Sequence, residues 1–334
     1  MRVLLLLIIS FSLCSQIYLK SGVSYTNNVI NLSDDDLDEF EGGEKEYKYD
    51  LESSDDIFLK LDAYYLFKYN FLDHTQKLKF GADSEIYFKN QILNSTDLQF
   101  SLQQYINKNW NFIVGYTYKP NTYVNRYKCV VDDKYHSMEY SKDGVDLRLN
   151  FQFMKNFEFS CETIFQRGFY NKYFTEYDYN SLDYMGQVSY NPSKWFDIVF
   201  RYKFRNLEGD GEEAYDFEVS QKKDGSYESD LYMVSFDFNP EVKSESLSSF
   251  LIGISYSYEN RYFSSKIEGD NFHTGRKDYY NRISSDIIYK MEEVSLGLEL
   301  RYENRKTDSY DSVVENEKSY DSMTAGLFAK FSLF

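Results

Sequence analysis

Between Val294 and Tyr302 the chain alternates without a slip. Val294, Leu296, Leu298, Leu300 and Tyr302 are apolar or aromatic, while Ser295, Gly297, Glu299 and Arg301 are small or charged. Successive side chains of a strand point to opposite faces, so this run makes a two-faced strand, greasy on one side and polar on the other. The pattern recurs along most of the chain. Phe250, Ile252, Ile254, Tyr256 and Tyr258 alternate with Leu251, Gly253, Ser255 and Ser257; Val145, Leu147, Leu149, Phe151 and Phe153 alternate with Asp146, Arg148, Asn150 and Gln152. Segments of about ten residues with this alternation are the mark of strands that cross a bilayer in a closed barrel.

Composition supports that reading. Aromatic residues make up 19% of the 334 positions, with 34 Tyr and 28 Phe, which fits aromatic girdles at two membrane surfaces. Mean hydropathy is -0.59. A helical span needs about 20 apolar residues in a row, and the longest apolar run, from Val3 to Ile9, is far shorter. That run belongs to a basic start (Met1, Arg2), an apolar core to Leu13 and small residues at Ser12, Cys14 and Ser15. It reads as a secretory signal peptide over 1–15, cut near Cys14 or Ser15, ahead of one barrel domain over 16–334. Cys129 and Cys161 are too few and too far apart for a disulfide framework or a metal cluster. A net charge of -17 disfavours nucleic acid as a partner.

Alternation predicts 14 strands, at 17–25, 56–70, 77–90, 96–106, 110–119, 143–153, 157–168, 180–190, 195–206, 229–238, 248–260, 278–290, 294–305 and 320–334. Most are long enough for the nine to eleven residues that a tilted strand needs to cross a bilayer. The links alternate in length. Short ones fall at 72–76, 107–109, 154–156, 191–194, 239–247 and 291–293. Long ones fall at 26–55, 120–142, 169–179, 206–228, 261–277 and 306–319. The link at 91–95 is the exception, short where a long one is due. Short periplasmic turns and long extracellular loops are the rule for outer-membrane barrels, and seven hairpins in that phase put both termini in the periplasm. Pro120, Pro192 and Pro240 fall in links or at strand ends, where a missing N–H does least harm. Trp110, Phe153, Phe157, Tyr190, Trp195 and Tyr289 sit beside short turns, and Tyr118, Phe204, Tyr258 and Tyr302 near long loops. Two aromatic belts are what the two faces of a bilayer select.

On these features the chain resembles the porin-like outer-membrane β-barrels of Gram-negative bacteria as a class. Its last strand carries an apolar face of Met323, Ala325, Leu327, Ala329, Phe331 and Leu333 and stops at Phe334. Members of that class end in an aromatic residue read by the barrel-assembly machinery. Here Lys330 and Ser332 share the face of Phe334, a departure from the usual phase. The resemblance implies an all-β, closed antiparallel transmembrane barrel of about 14 strands in the bacterial outer membrane. It also implies contact with outer-membrane lipid and lipopolysaccharide. Fatty-acid transporters with 14 strands carry a plug ahead of the first strand, whereas here a strand is predicted from Ile17, so a hydrophobic-solute transporter fits less well.

The polar face is the main functional clue. If the apolar face meets lipid, the other lines a lumen carrying Lys60, Asp62, Lys68, Lys79, Asp83, Glu85, Asp146, Arg148, Glu158, Glu162, Arg201, Lys203, Glu259, Arg282, Asp286, Glu299, Arg301 and Glu303. Charges in that number need water, because burying them unpaired is costly. Eight strands enclose little more than side chains while 16 to 18 leave an aqueous channel, and 14 lies nearer the second case. The reading is a porin-like channel for passive passage of small polar or charged solutes, with no cofactor. The alternatives are an adhesin-like protein that binds a partner through its extracellular loops, and an outer-membrane enzyme. For catalysis, His74, His136 and His273 have no Ser or Cys at a familiar spacing. Asp34, Asp36 and Asp38 mimic the start of a calcium loop, but Glu39 stands where the Gly is required, so a solvated, mobile acidic loop is expected.

Overall fold

Fourteen antiparallel strands close on themselves in sequence order, and β1 pairs with β14 from Ile17↔Leu333 to Thr26↔Thr324. The computed structural model describes residues 15–43, 48–71, 74–129, 132–211, 223–240, 249–265, 267 and 269–333. The predicted signal segment lies outside the described residues except for Ser15, the first residue of β1. The strands are β1 Ser15–Thr26, β2 Asp56–Phe71, β3 His74–Tyr87, β4 Ser95–Tyr105, β5 Trp110–Lys128, β6 Tyr135–Met154 and β7 Phe157–Tyr170. They continue with β8 Tyr179–Ser193, β9 Phe196–Gly209, β10 Tyr227–Phe238, β11 Ser249–Phe263, β12 Lys277–Lys290, β13 Val294–Asp308 and β14 Tyr320–Leu333. Closure leaves every strand with two neighbours, so no edge offers unpaired backbone groups to lipid.

The outer surface follows the alternation. Leu296, Leu298 and Leu300 on β13, Ile252 and Ile254 on β11, and Leu327 on β14 all point outward and are exposed. Toward the short turns this band ends in directly paired aromatics: Trp110 stacks on Phe151 at 4.1 Å and Phe157 on Tyr190 at 4.3 Å. Toward the long loops it ends in a repeated motif. The hydroxyls of Tyr25, Tyr202, Tyr256 and Tyr302 donate to Asp55, Asp230, Asn281 and Asp321, at 3.3, 2.6, 2.9 and 2.9 Å. In each case the acceptor lies one diagonal step nearer the long loops, on the next strand or, for Asp55, just before it. Amphipathic tyrosine suits such a border, its ring in the apolar layer and its hydroxyl in the wet one.

The largest departure from the sequence reading is the second long link, 120–142. Residues 120–128 and 135–142 continue β5 and β6 as a hairpin rising past the barrel wall. Pro120 therefore sits inside a strand, where the ladder slips between Lys119 and Thr122. Pro192 marks a second slip, between Tyr190 and Ser193. In a closed sheet, which has no edge strand, a bulge is a place that tolerates a residue without a donor.

The loop after β1 is also more ordered than expected. Asp34–Glu41 forms a helix, α1, whose Ser33 cap accepts the Asp36 N–H at 3.1 Å. Three aspartates in its first turn suit the helix dipole. Lys48 pairs with Glu39 at 3.2 Å, and the Tyr49 hydroxyl donates to Asp36 at 3.0 Å. The last loop holds a second short helix, α2 (Ser312–Lys318), capped by Asp311 and anchored by the buried Val314.

Candidate functional site

Because partners in an antiparallel ladder share a face, the registers assign each side chain to the inside or outside of the barrel. Lys60 lies opposite Glu85, Asp62 opposite Asp83, and Leu66 opposite Lys79, with Lys68 in the same phase. Asp146 lies opposite Ile164, Arg148 opposite Glu162, and Gln152 opposite Glu158. Arg201 and Lys203 face Met233 and Leu231. Across β11 to β13, Glu259 lies opposite Tyr280, Arg282 opposite Glu303, Ser284 opposite Arg301, and Asp286 opposite Glu299. Every charged residue singled out from the sequence falls on the inner face.

The pairing among these charges differs from simple cross-strand matching. Arg148 makes a two-pronged contact with Glu162 at 2.9 to 3.1 Å. Arg282 binds Glu303 at 2.6 Å and approaches Glu259 at 3.6 Å. Lys20 and Lys60 ignore the acids directly opposite them and converge on Glu299, at 3.2 and 2.6 Å. That reach spans four strands across the β1–β14 seam. It passes over Gly22 and Gly326, where an added Cβ would collide with Phe328 and Ser24 respectively. Among the described residues Arg201 donates only to the neutral Gln187. Arg301 and Asp286 have no ion-pair or hydrogen-bond partner among the described residues.

Residues absent from the sequence reading carry the most deeply buried part of the network. Asp183 is 0% exposed and is gripped by Arg205 at 2.7 Å with Lys203 at 3.5 Å. Asp278, also 0% exposed, accepts from Arg276, Arg305 and Thr307. Arg261 stacks over Tyr280 at 4.3 Å while binding Glu259 at 2.8 Å. Buried charges survive where partners and hydrogen bonds replace water. Arg148, although paired with Glu162, is far more open: its inward-facing side chain is 40% exposed. A cavity of about 520 Å³ opens between β1–β3 and β12–β14, lined among others by Lys20, Lys60, Asp62, Asp286, Glu299 and Arg301.

At the long-loop end the β5–β6 hairpin is tied to loops from other parts of the rim. Arg126 pairs with Asp50 at 3.1 Å, and the Ser137 hydroxyl donates to the same aspartate. His136 stacks on Tyr173 at 3.7 Å, and Asn171 donates to the Ser137 carbonyl at 2.7 Å. Lys318 of α2 lies between the rings of Tyr127 and Phe272. Asp270, fully buried in the loop before β12, accepts from His273 and Ser265 and from the Asp224 backbone N–H. Burial alone would raise its pKa, but the His273 hydrogen bond and nearby Lys223 hold it below the usual carboxylate range.

The candidate chemical groups are placed as follows. His136 and His273 hydrogen-bond Asp132 and Asp270, and His74 begins β3. Cys129 is buried after β5, and Cys161 lies on the outer face of β7; both are free thiols. Among the described residues no three His, Cys, Asp or Glu side chains converge as metal ligands.

A closed 14-strand antiparallel barrel, lipophilic outside and charged inside, is the fold of the porin-like outer-membrane proteins. The outer-membrane channel DcaP of Acinetobacter baumannii is similar over 96% of each chain, with a TM-score of 0.52 at 12% identity. An anion-selective porin from Comamonas acidovorans has a TM-score of 0.46 at 9% identity, covering 96% of this chain and 98% of its own. OccAB3 of Acinetobacter baumannii has 0.42 at 10% identity, covering 96% and 99%. No protein-family model and no curated protein matches the sequence.

Proposed function

We propose that the protein is an outer-membrane channel for passive passage of small polar or charged solutes, with both termini on the periplasmic side. The observation that carries this reading is the wet, charged interior. Arg301 faces inward without an ion-pair partner among the described residues, yet it is exposed and lines a cavity of about 520 Å³. A barrel built only for stability would pair and bury such groups, since unpaired charge in a dry interior is costly. The outer face, the final strand and the N-terminal segment fit delivery by a signal peptide and the barrel-assembly machinery into a leaflet of lipopolysaccharide.

Current through single molecules in a planar bilayer tests the reading. Discrete steps in KCl are expected. The overall charge of -17 should concentrate cations at the mouth, giving a modest cation preference at low salt that fades as salt rises. Correctly folded protein that gives no current would refute the channel reading. Conduction with anion preference at low salt would transfer control of entry to the arginines of the inner wall.

A further inference from the structure

The cavity between β1–β3 and β12–β14 holds two opposite charges that could have met and do not. Arg301 on β13 lies opposite Ser284, and Asp286 is the next inward residue on β12, one diagonal step away. Diagonal neighbours of this kind have Cα atoms roughly 7–8 Å apart, within reach of a direct arginine–carboxylate contact. The Asp286 carboxylate leans the other way, into the space above Gly253 on β11. A Cβ built on Gly253 would stand 2.5 Å from Asp286 Oδ1 and 3.1 Å from Asp237 Oδ1. Ser284, directly opposite Arg301, offers it no contact, its hydroxyl being bonded to Ser255 at 2.7 Å.

The acids beside Arg301 on its own strand are already committed, while Asp62 and Glu85 across the cavity carry no ion pair among the described residues. Glu299 holds Lys20 and Lys60, and Glu303 holds Arg282 and the Tyr320 hydroxyl. A lone anion at Arg301 would therefore sit beside Glu299, Glu303 and Asp286. A lone cation at Asp286 would meet Arg301. A solute carrying one charge of each sign, a short distance apart, satisfies both ends and leaves the balance of the lumen unchanged. The cavity volume falls in the range of roughly 300–1,000 Å³ typical of small-molecule sites.

We propose that Arg301 and Asp286 form a seat for small zwitterionic solutes of amino-acid type, the carboxylate on the Arg301 guanidinium and the ammonium on Asp286. This rests on the channel reading above and narrows its substrate class. Gly253 is a positioning residue, since its missing side chain is what lets Asp286 stand clear of Arg301.

The test is block of the potassium current through the full chain by glycine, with glycolamide as a neutral probe of the same size. Glycine should reduce the current saturably and glycolamide should not. Arg301→Gln and Asp286→Asn should each raise the half-blocking concentration roughly tenfold, the loss of one charge-assisted contact. Gly253→Ala should do the same by pushing Asp286 onto Arg301, while Arg301→Lys should keep most of the block. Heat-modifiable gel mobility confirms that each variant has folded. A potassium current that glycine and glycolamide affect alike overturns the seat and leaves the channel standing. Block by glycine that survives both charge-removing variants also overturns it. Absence of any current from folded protein overturns the channel reading, and the seat with it.

Discussion

Placing an arginine at position 298 tests the assignment of inner and outer faces most directly. Leu298 points outward from β13 with Ile287 and Leu327 as its paired neighbours. On its own strand the apolar row runs from Val294, beside the short turn, to Tyr302, whose hydroxyl bonds Asp321 at the other border. Leu298 is four residues from each. At about 3.4 Å per residue and a tilt near 40°, that is roughly 10 Å of bilayer depth on either side. The site is therefore at the middle of the apolar layer, where arginine on a barrel costs about 2–4 kcal/mol. The folding equilibrium should fall by about thirty- to several-hundred-fold for Leu298→Arg. Ser255 is the control, on the inner face where it shares a hydrogen bond with Ser284. Ser255→Arg should lose about 1 kcal/mol or less, since the added charge finds water and nearby Asp286. Urea titration of folding into short-chain phosphatidylcholine vesicles, read by gel shift and by Trp110 and Trp195 fluorescence, measures both. Equal losses for the two variants, or a larger loss for Ser255→Arg, would refute the face assignment.

Glu299→Gln should loosen the β1–β14 seam by roughly 1–2 kcal/mol, because two lysines lose their shared partner in a partly wet site. A denaturation midpoint no different from wild type would contradict it. Gly297→Ala should cost about 1–3 kcal/mol, since the new methyl would land in the Phe328 ring that covers Gly297; combining it with Phe328→Ala should recover part of the loss. At the mouth, Asp270 has a pKa held below its ordinary value of about 3.9, so its contribution is present above that pH and disappears as pH falls through the lowered value. Amide exchange over residues 269–276 should be protected at pH 7 and accelerate, beyond the intrinsic pH effect, below about pH 4; protection that does not change would refute this role of Asp270.

The barrel was legible because lipid enforces a strict period of two on the outer face. All 14 strands appear where alternation places them. Their upper ends were harder to read because the enforcement stops where lipid stops. Above Lys119 the hairpin meets water and other loops, so residues such as Asn121, Asn125 and Arg126 carry no two-sided signal, and 120–142 reads as loop. The same blurring hid Arg261 and Asp278, which stand just at or beyond the predicted strand ends and anchor the buried network. For the inner face, sequence supplied which residues point inward but not which of them touch. Glu299 and Lys60 are 239 residues apart and meet only because the sheet closes. Arg301 looks, in sequence, like the natural partner of a nearby acid; what prevents the contact is an empty space over Gly253, which only the fold reveals.

The two rims of the outer band are not equivalent, and this bears on how the barrel responds to membranes of different thickness. On the loop side four border tyrosines are tied by their hydroxyls to an Asp or Asn that must stay hydrated, so moving that rim inward would drag four polar pairs into hydrocarbon. On the turn side the border consists of stacked rings such as Trp110 with Phe151, which exchange one apolar neighbour for another at little cost. A mismatch between protein and bilayer is thus absorbed at the turn side. The loop rim acts as a waterline, and the height of the mouth above the membrane stays constant while the depth of the turns varies.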